Sequence, residues 1–508
     1  MKHSPVSAPS RAVVIGAGIG GLAAAMRLGA MGYVVTVIDR LDVPGGRGSA
    51  IERDGHRFDL GPTIVTVPQT LRDLWAATGR DFDADVDLRP LDPFYELRWP
   101  DGSRLPVHAS LDAMREEVRR LSPTDVPGWE RFLRDAERRY RVGFEDLGRR
   151  PMHRLMDTIR VLPTFARLRA DRSVAAHAAT RVRDPRLRMA LSFHPLFIGG
   201  DPFRVTSMYA LVSHLEATYG VHYAMGGVAA IAEAMVRVIE GQGGRVRLGA
   251  EVSEITVEAG RASGVRVGGE RIPAEVVVSN ADVRHTYERL LPGRRRWTPR
   301  RLARSRWSMG LYVLYFGTKG TRAMWRDVGH HTILNGPRYG GLVRDIFRRG
   351  VLSEDMSVYL HRPTVTDPGA APPGDDTFYA LVPVPHLGHR NPVDWGAMRA
   401  PFRERVLTLL EGTLPGLRDR LGPEIAFTPE DFRDRYLSPH GCGFSIEPRI
   451  LQSAWFRPHN VSEELPGLYL VGAGTHPGAG LPGVICSAEV LGSVVPKPQA
   501  APLPVAAE

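Results

Sequence analysis

The most regular hydrophobic pattern lies at residues 12–40, "AVVIGAGIGGLAAAMRLGAMGYVVTVIDR". A strand-like apolar run over 12–15 leads into a glycine-rich turn. A helix-like segment over 22–30 follows, and a second β-branched run over 34–38 ends on Asp39. This order predicts a strand–turn–helix–strand unit. Further along, "GGVAAIAEAMVRVIEG" reads as a helix, followed by strands in "GGRVRLGAEVSEITVEAGRASGVRV" and in "AEVVVSNAD". Residues 110–215 carry a helical, arginine-rich pattern, and residues 300–440 mix strands and helices. The final regular stretch, "GLYLVGAGTHPGAGLPGVICSAEVLG", predicts a strand over 468–471 and a glycine-rich turn. A helix opened by Pro482 then runs to about Val494. The chain shows no internal repeat.

The uncharged run from Ala12 to Met26 has three readings. A membrane span needs about 20 apolar residues, and this run breaks at Arg27. An export signal would combine a charged start, an apolar run and a small-residue cleavage site. The glycine spacing points instead to a nucleotide-binding turn. Gly16, Gly18 and Gly21 form G-x-G-x-x-G. The first glycine permits the tight turn and the second lets backbone approach a pyrophosphate. The third lets helix and strand pack closely, and the helix N-terminus attracts negative charge. Asp39, 23 residues after Gly16, sits where a carboxylate binds a ribose hydroxyl.

Other segments extend this site. Arg47, within Gly45-Gly46-Arg47-Gly48, suits a glycine loop that folds over a pyrophosphate and neutralises it. In "FDLGPTIVTVP" the turn at Gly61 and Pro62 brings backbone towards a flat ring. At the other end of the chain Gly472, Gly474, Gly478 and Gly480 leave room for a ligand against the backbone. The helix beginning at Pro482 and Gly483 turns its positive end towards a reduced isoalloxazine ring. Two chain ends converging on one cofactor indicate FAD, because a simple NAD enzyme needs no second element. No second strand-plus-G-x-G-x-x-G unit occurs, so NAD(P)H is not expected.

Composition narrows the class. The 508 residues are enough for two or three domains. A net charge of +10 suggests an acidic partner such as anionic lipid or nucleic acid. Yet only three lysines (Lys2, Lys319, Lys497) are present, so the arginine excess equally fits a genomic base bias, and no nucleic-acid partner is expected. Cys442 and Cys486 form no C-x-x-C, zinc spacing or disulfide framework, which fits a reducing compartment without a bound metal. No other segment resembles a membrane span, so membrane attachment would be peripheral. Residues 1–10 and the Pro/Ala-rich tail 496–508 are expected to be disordered.

Six stretches together carry a resemblance: "VVIGAGIGGLAAAMRL", "DVPGGRG", "HRFDLGPTIVTVP", "LSFHPLFIGGDPF", "QSAWFRPHN" and "LYLVGAGTHPGAGLPGVICSAEVLG". Over residues 11–495 the chain resembles the bacterial phytoene desaturases, especially those of purple bacteria. The resemblance implies an α/β fold of the flavin-containing amine-oxidase type, with bound FAD. Its Rossmann-like FAD-binding domain would be assembled from 11–75, 220–300 and 440–495. A mixed-sheet substrate domain would occupy 76–110 and 301–439, and a helical, membrane-associating domain 111–219.

The activity implied is insertion of several double bonds into the C40 hydrocarbon phytoene, giving neurosporene or lycopene in a bacterial cytoplasm at the inner membrane. A hydride and a proton leave the substrate, and flavin N5 takes the hydride, so no metal is needed. Oxygen or a quinone would reoxidise the flavin, and an apolar tunnel would select the substrate by shape. By the same resemblance Asp157 and Arg160, three apart on one helical face, are the acid–base candidates. His194 and His476 are further candidates for the proton acceptor, with a structural role as the favoured reading of each. Leu155, Ile159, Leu162 and Ala166 share a face flanked by Arg149, Arg150, Arg154, Arg167 and Arg169, a basic amphipathic pattern suited to anionic bilayers or to the protein's own core. No aspartate follows the last strand, so the ribityl contact is unassigned; homo-oligomerisation also stays open. The rival readings are a later carotenoid desaturase, a saturase or isomerase on the same fold, and a flavin-free lipid escort.

Overall fold

The computed structural model describes residues 10–291 and 297–498. Most of the segments expected to be disordered lie outside the described residues, but their inner ends are held. The Ser10 carbonyl accepts from the Val34 N–H at 3.0 Å, and Pro496 accepts from the Tyr33 hydroxyl at 2.9 Å.

The nucleotide-binding part is a five-stranded parallel sheet in the order Arg245–Arg247, Val34–Ile38, Arg11–Ile15, Val276–Ser279, Leu468–Leu470. Its strands read as continuous apolar runs because both faces are covered. Alternate residues Val14, Val37 and Val278 pack on helices Ile19–Ala30, Gly227–Gly241 and Leu481–Val494. Val13, Ile38 and Val277 face a three-stranded antiparallel sheet spanning 252–273. The first helix begins at Ile19, earlier than the apolar pattern suggests, because the Gly18 carbonyl already accepts from Leu22 N–H at 2.9 Å.

The second sheet has seven strands, ordered Leu421–Phe427, Gly310–Thr318, Asp376–Val384, Val358–His361, His331–Leu334, Tyr95–Arg98, Arg104–Val107. Period-two alternation splits the strand Gly310–Thr318 between two faces. Tyr312, Leu314 and Phe316 pack against helix Trp395–Glu411, while Leu311, Val313 and Tyr315 belong to the opposite face. That opposite face forms one wall of the large cavity described below.

Helices of residues 111–219 pack on the strands Tyr95–Arg98 and Arg104–Val107 at the edge of the second sheet. One helix of this region, Leu155–Arg167, carries Pro163 within it. No helix among the described residues is long and apolar enough to cross a membrane.

Candidate functional site

A single cavity of about 800 Å³ begins at the ends of the parallel strands and continues between the second sheet and the helices. Ten of the proposed cofactor residues line it: Gly16, Gly18, Asp39, Arg47, Gly61, Pro62, Gly472, Gly474, Pro482 and Gly483. Gly21 does not; a side chain there would collide with the Gly16 carbonyl, so it serves close packing of helix on turn.

Each element has a local cause. Gly16 turns with φ +96°, and its N–H reaches the Ile38 carbonyl at 2.7 Å. A Cβ at Gly18 would come within 2.7 Å of Asn280 Nδ2. Asp39 is fixed by its own neighbourhood, Oδ2 accepting from Ala17 N–H at 2.6 Å and Oδ1 from Leu41 N–H at 2.8 Å. Burial pushes this carboxyl above its ordinary range, while the two backbone donors oppose the shift. The loop holding Arg47 folds back over the first turn, with Gly45 N–H donating to the Ala17 carbonyl at 2.8 Å. Arg47 donates to Ser438 Oγ at 2.6 Å, and its buried Nε has no partner. An unpartnered guanidinium N–H above a backbone-only turn is the donor set a pyrophosphate requires. The glycine cradle and this arginine therefore fit a dinucleotide. At Gly61 a Cβ would strike the Arg47 carbonyl, so this glycine allows two backbone segments to cross at the site.

The C-terminal turn is braced from behind. Arg457 of the "AWFRPHN" stretch is buried and donates to the carbonyls of Ala473 at 2.6 Å, Thr475 at 3.1 Å and Ile446 at 3.2 Å. Asn460 Nδ2 donates to the carbonyls of Leu470, His476 and Ser487, tying strand, turn and helix together. His476 Nε2 contacts the carbonyls of Leu147 and Arg150, both at 3.0 Å, and burial lowers its pKa to about 4. It clamps this turn to the helical region.

Several functional positions escape sequence reasoning. Asn280 follows the strand Val276–Ser279, at the carboxyl edge where open α/β sheets bind ligands. It packs on Gly18, Gly20, Gly21 and Gly472 at once. Asp282 lines the cavity and accepts from Ser445 Oγ at 2.7 Å. Its place after a fully buried strand was the available signal. Deeper in, His194 and Glu216 line the cavity together, with Nε2 and Oε2 3.1 Å apart and the Tyr95 hydroxyl donating to Glu216 at 2.8 Å.

Asp157 and Arg160, the acid–base candidates, are not brought into the cavity lining. They form a 3.7 Å ion pair in which the Arg160 side chain is 75% exposed. The same helix presents Thr158, Leu162 and Phe165 to the cavity instead. Spacing of three puts the pair on one face, where Asp157 is half-buried and Arg160 exposed.

The two halves of the cavity define a class: one dinucleotide site opening directly into an apolar chamber, as in a flavin-dependent oxidoreductase. The chain matches the flavin containing amine oxidoreductase family over residues 19–489 and belongs to it. FAD is its cofactor. It is 68% identical to a neurosporene-forming phytoene desaturase of Cereibacter sphaeroides, covering 97% of this chain and 96% of that protein. It is 62% identical to its namesake from Rhodobacter capsulatus, over 98% and 96%. A lycopene-forming phytoene desaturase of Pantoea ananas is 42% identical, over 94% and 97%. Among solved structures, an oxidoreductase from Methanosarcina mazei superposes with a TM-score of 0.64 at 18% identity, over 94% of this chain and 98% of that one. A putrescine oxidase variant gives 0.62 at 14% identity, over 95% and 98%. At such identities these two share the fold alone.

Proposed function

We propose that the chain is an FAD-dependent phytoene desaturase that forms neurosporene or lycopene and takes its substrate from a membrane surface. The carrying observation is the continuity of the cavity, from the glycine turn of the nucleotide site to walls of Phe197, Val313, Leu342, Ile346 and Leu381. Bound FAD supplies the hydride acceptor. The chain's own residues hold the nucleotide, exclude water and align a hydrocarbon that offers no polar handle, so selection rests on shape. The high identity to the Cereibacter and Rhodobacter proteins supports the same reading. Purified protein incubated with phytoene, FAD and liposomes is expected to yield the banded visible spectrum of a conjugated polyene. Only unreacted phytoene after prolonged aerobic incubation would refute the assignment.

One dinucleotide site implies one redox cofactor. Turnover is expected with FAD and either oxygen or a quinone, and added NAD⁺ or NADP⁺ should change the initial rate by less than the assay error. Strict dependence on a nicotinamide under air, with quinone present, would reveal a second site.

Membrane contact is assigned to the helix Leu155–Arg167 and the neighbouring segment at 450–451. Of the twelve large apolar side chains exposed among the described residues, six fall here: Leu155, Met156, Ile159, Leu162, Ile450 and Leu451. Leu162, Ile450 and Leu451 also line the cavity, so the patch is the rim of its mouth. Arg150, Arg154 and Arg167 stand exposed beside it. Arg149 is engaged elsewhere, with Glu489 at 3.0 Å and Asp73 at 2.9 Å, and Arg169 pairs with Asp171 at 3.0 Å. Arg149 belongs to the protein's own packing, whereas Arg169, like Arg150 with Asp146, forms an exposed ion pair.

A further inference from the structure

Desaturation releases a proton as well as a hydride, and the cavity wall holds a chain of buried groups able to accept it. Tyr359, on the strand Val358–His361, and Thr63 both line the cavity with their hydroxyl oxygens 2.7 Å apart. Thr63 directly follows the Gly61–Pro62 turn of the cofactor site. The Tyr359 oxygen lies 2.8 Å from His331 Nδ1. His331 Nδ1 lies 3.3 Å from His361 Nδ1, and His361 Nε2 lies 3.6 Å from Asp59 Oδ2. Antiparallel pairing sets His331 directly opposite His361, which is why two imidazoles stack here with an interplanar angle of 20°.

His331, His361 and Asp59 are all buried, and Asp59 Oδ1 has no partner. The other polar neighbours are accounted for. His330 Nδ1 meets Thr366 Oγ1 at 2.6 Å, the Tyr223 hydroxyl lies 3.5 Å from Asp59, and Arg57 is held by Asp367 at 2.5 Å. Burial lowers the pKa of His330, His331 and His361, the last opposed by Asp59, so the imidazoles rest neutral with a lone pair available.

We infer that Tyr359, His331, His361 and Asp59 form a relay that removes the substrate proton from the apolar cavity. The inference rests on the desaturase reading above. The step balances as follows. One C–H bond gives its hydrogen and both electrons to the flavin, so the substrate is oxidised and the flavin reduced by two electrons. The neighbouring C–H bond breaks, its electron pair becomes the new π bond, and its proton passes to the Tyr359 oxygen. Tyr359 gives its own proton to His331 Nδ1, which hands it on to His361 Nδ1 and returns to neutral. His361 passes its Nε2 proton to Asp59, leaving a neutral carboxylic acid. Tyr359 touches the substrate; the other three act through it.

Tautomers favour this use of the cluster. With Tyr359 donating to the His331 Nδ1 lone pair and His361 Nε2–H facing Asp59, the His361 Nδ1 lone pair lies 3.3 Å from His331 Nδ1 with no hydrogen between them. That arrangement gains a hydrogen bond once a proton arrives. The 3.6 Å approach to Asp59 is of the length that tightens when a reacting complex forms. A metal is the rival occupant. Donor atoms of His330, His331 and His361 lie within 4.8 Å of one another, and all three Nε2 atoms lack hydrogen-bond partners. Ligation through Nε2 of both His331 and His361 would place a proton on each Nδ1 and set two N–H groups head to head.

The test uses the FAD-loaded full chain with phytoene in liposomes, alongside the parent protein. Tyr359→Phe and His361→Asn should lower kcat by roughly 10²–10⁴-fold, the usual worth of general acid–base catalysis, with KM and flavin content unchanged. His331→Gly should recover turnover with added imidazole but not with thiazole, which has the same shape and no N–H to pass on. A parent without coloured product would refute the desaturase reading itself. With an active parent, full activity in Tyr359→Phe, equal rescue by thiazole, or one equivalent of a transition metal in the holoenzyme would overturn the relay. So would loss of kcat confined to Glu216→Gln, which would assign proton removal to the Glu216–His194 pair.

Discussion

Replacing Gly18 with valine is expected to leave a folded chain that retains no flavin and has no activity. Gly18 sits in extended backbone, φ −69° and ψ 164°, which any residue adopts, so the loss is steric rather than conformational. A Cβ there comes within 2.7 Å of Asn280 Nδ2, and the Gly45 carbonyl lies 4.0 Å away across the turn. Asn280 is wedged among glycine backbones, so close that a Cβ added at Gly20 or Gly472 would meet its Oδ1 at 2.8 Å or 2.5 Å. The two γ-methyls of valine would occupy the space where the turn meets a pyrophosphate. Flavin absorbance after gel filtration should fall to background, while the circular dichroism stays close to that of the parent. Gly18→Ala gives an intermediate case: Asn280 must shift, but the pyrophosphate space is only partly filled. Full flavin occupancy in the valine variant would remove the first turn from the cofactor site.

How much of this was legible in the chain depended on sequence distance. The first strand–turn–helix–strand unit could be read because its signals fall within 30 residues and each has a local cause. The C-terminal turn was legible for the same reason. Strand character at 245–247, 276–279 and 468–470 was visible, but their neighbours in the parallel sheet are set by packing across hundreds of residues. Local periodicity also says which residues share a helix face without saying where that face points. Asp157 and Arg160 share one, yet neither lines the cavity. Arg149 looked like one of several lipid-facing arginines; its true partner, Glu489, lies 340 positions away. The same limit hid the His331–His361–Asp59 chain. Its members stand far apart at positions 59, 331 and 361, and only strand pairing and the packing of Asp59 against His361 join them.

Changing Leu155, Ile159 and Leu162 to glutamate together is expected to abolish membrane binding and turnover of liposome-borne phytoene, with flavin content unchanged. A C40 hydrocarbon is confined to lipid, since each CH₂ moved into water costs about 0.8 kcal/mol. On the proposed function, the cavity mouth is therefore expected to meet the bilayer. The three side chains are between 42% and 52% exposed on one helix, and Leu162 belongs to the cavity rim. Burying such side chains in lipid contributes roughly 1.5–3 kcal/mol each at full burial, so their loss should reduce liposome partitioning at least a hundredfold. Arginine reversal makes the contrast. Changing Arg150, Arg154 and Arg167 to glutamate removes about 1 kcal/mol per residue at an anionic surface, and that contribution is screened by salt. The arginine variant should therefore differ from the parent most at low ionic strength and least at high. The leucine variant should fail at both, because apolar burial is not weakened by salt. Co-sedimentation with anionic vesicles across a salt series separates the two effects. If both variants pelleted like the parent at every salt concentration, the rim formed by 155–162 would not be the face that meets the membrane.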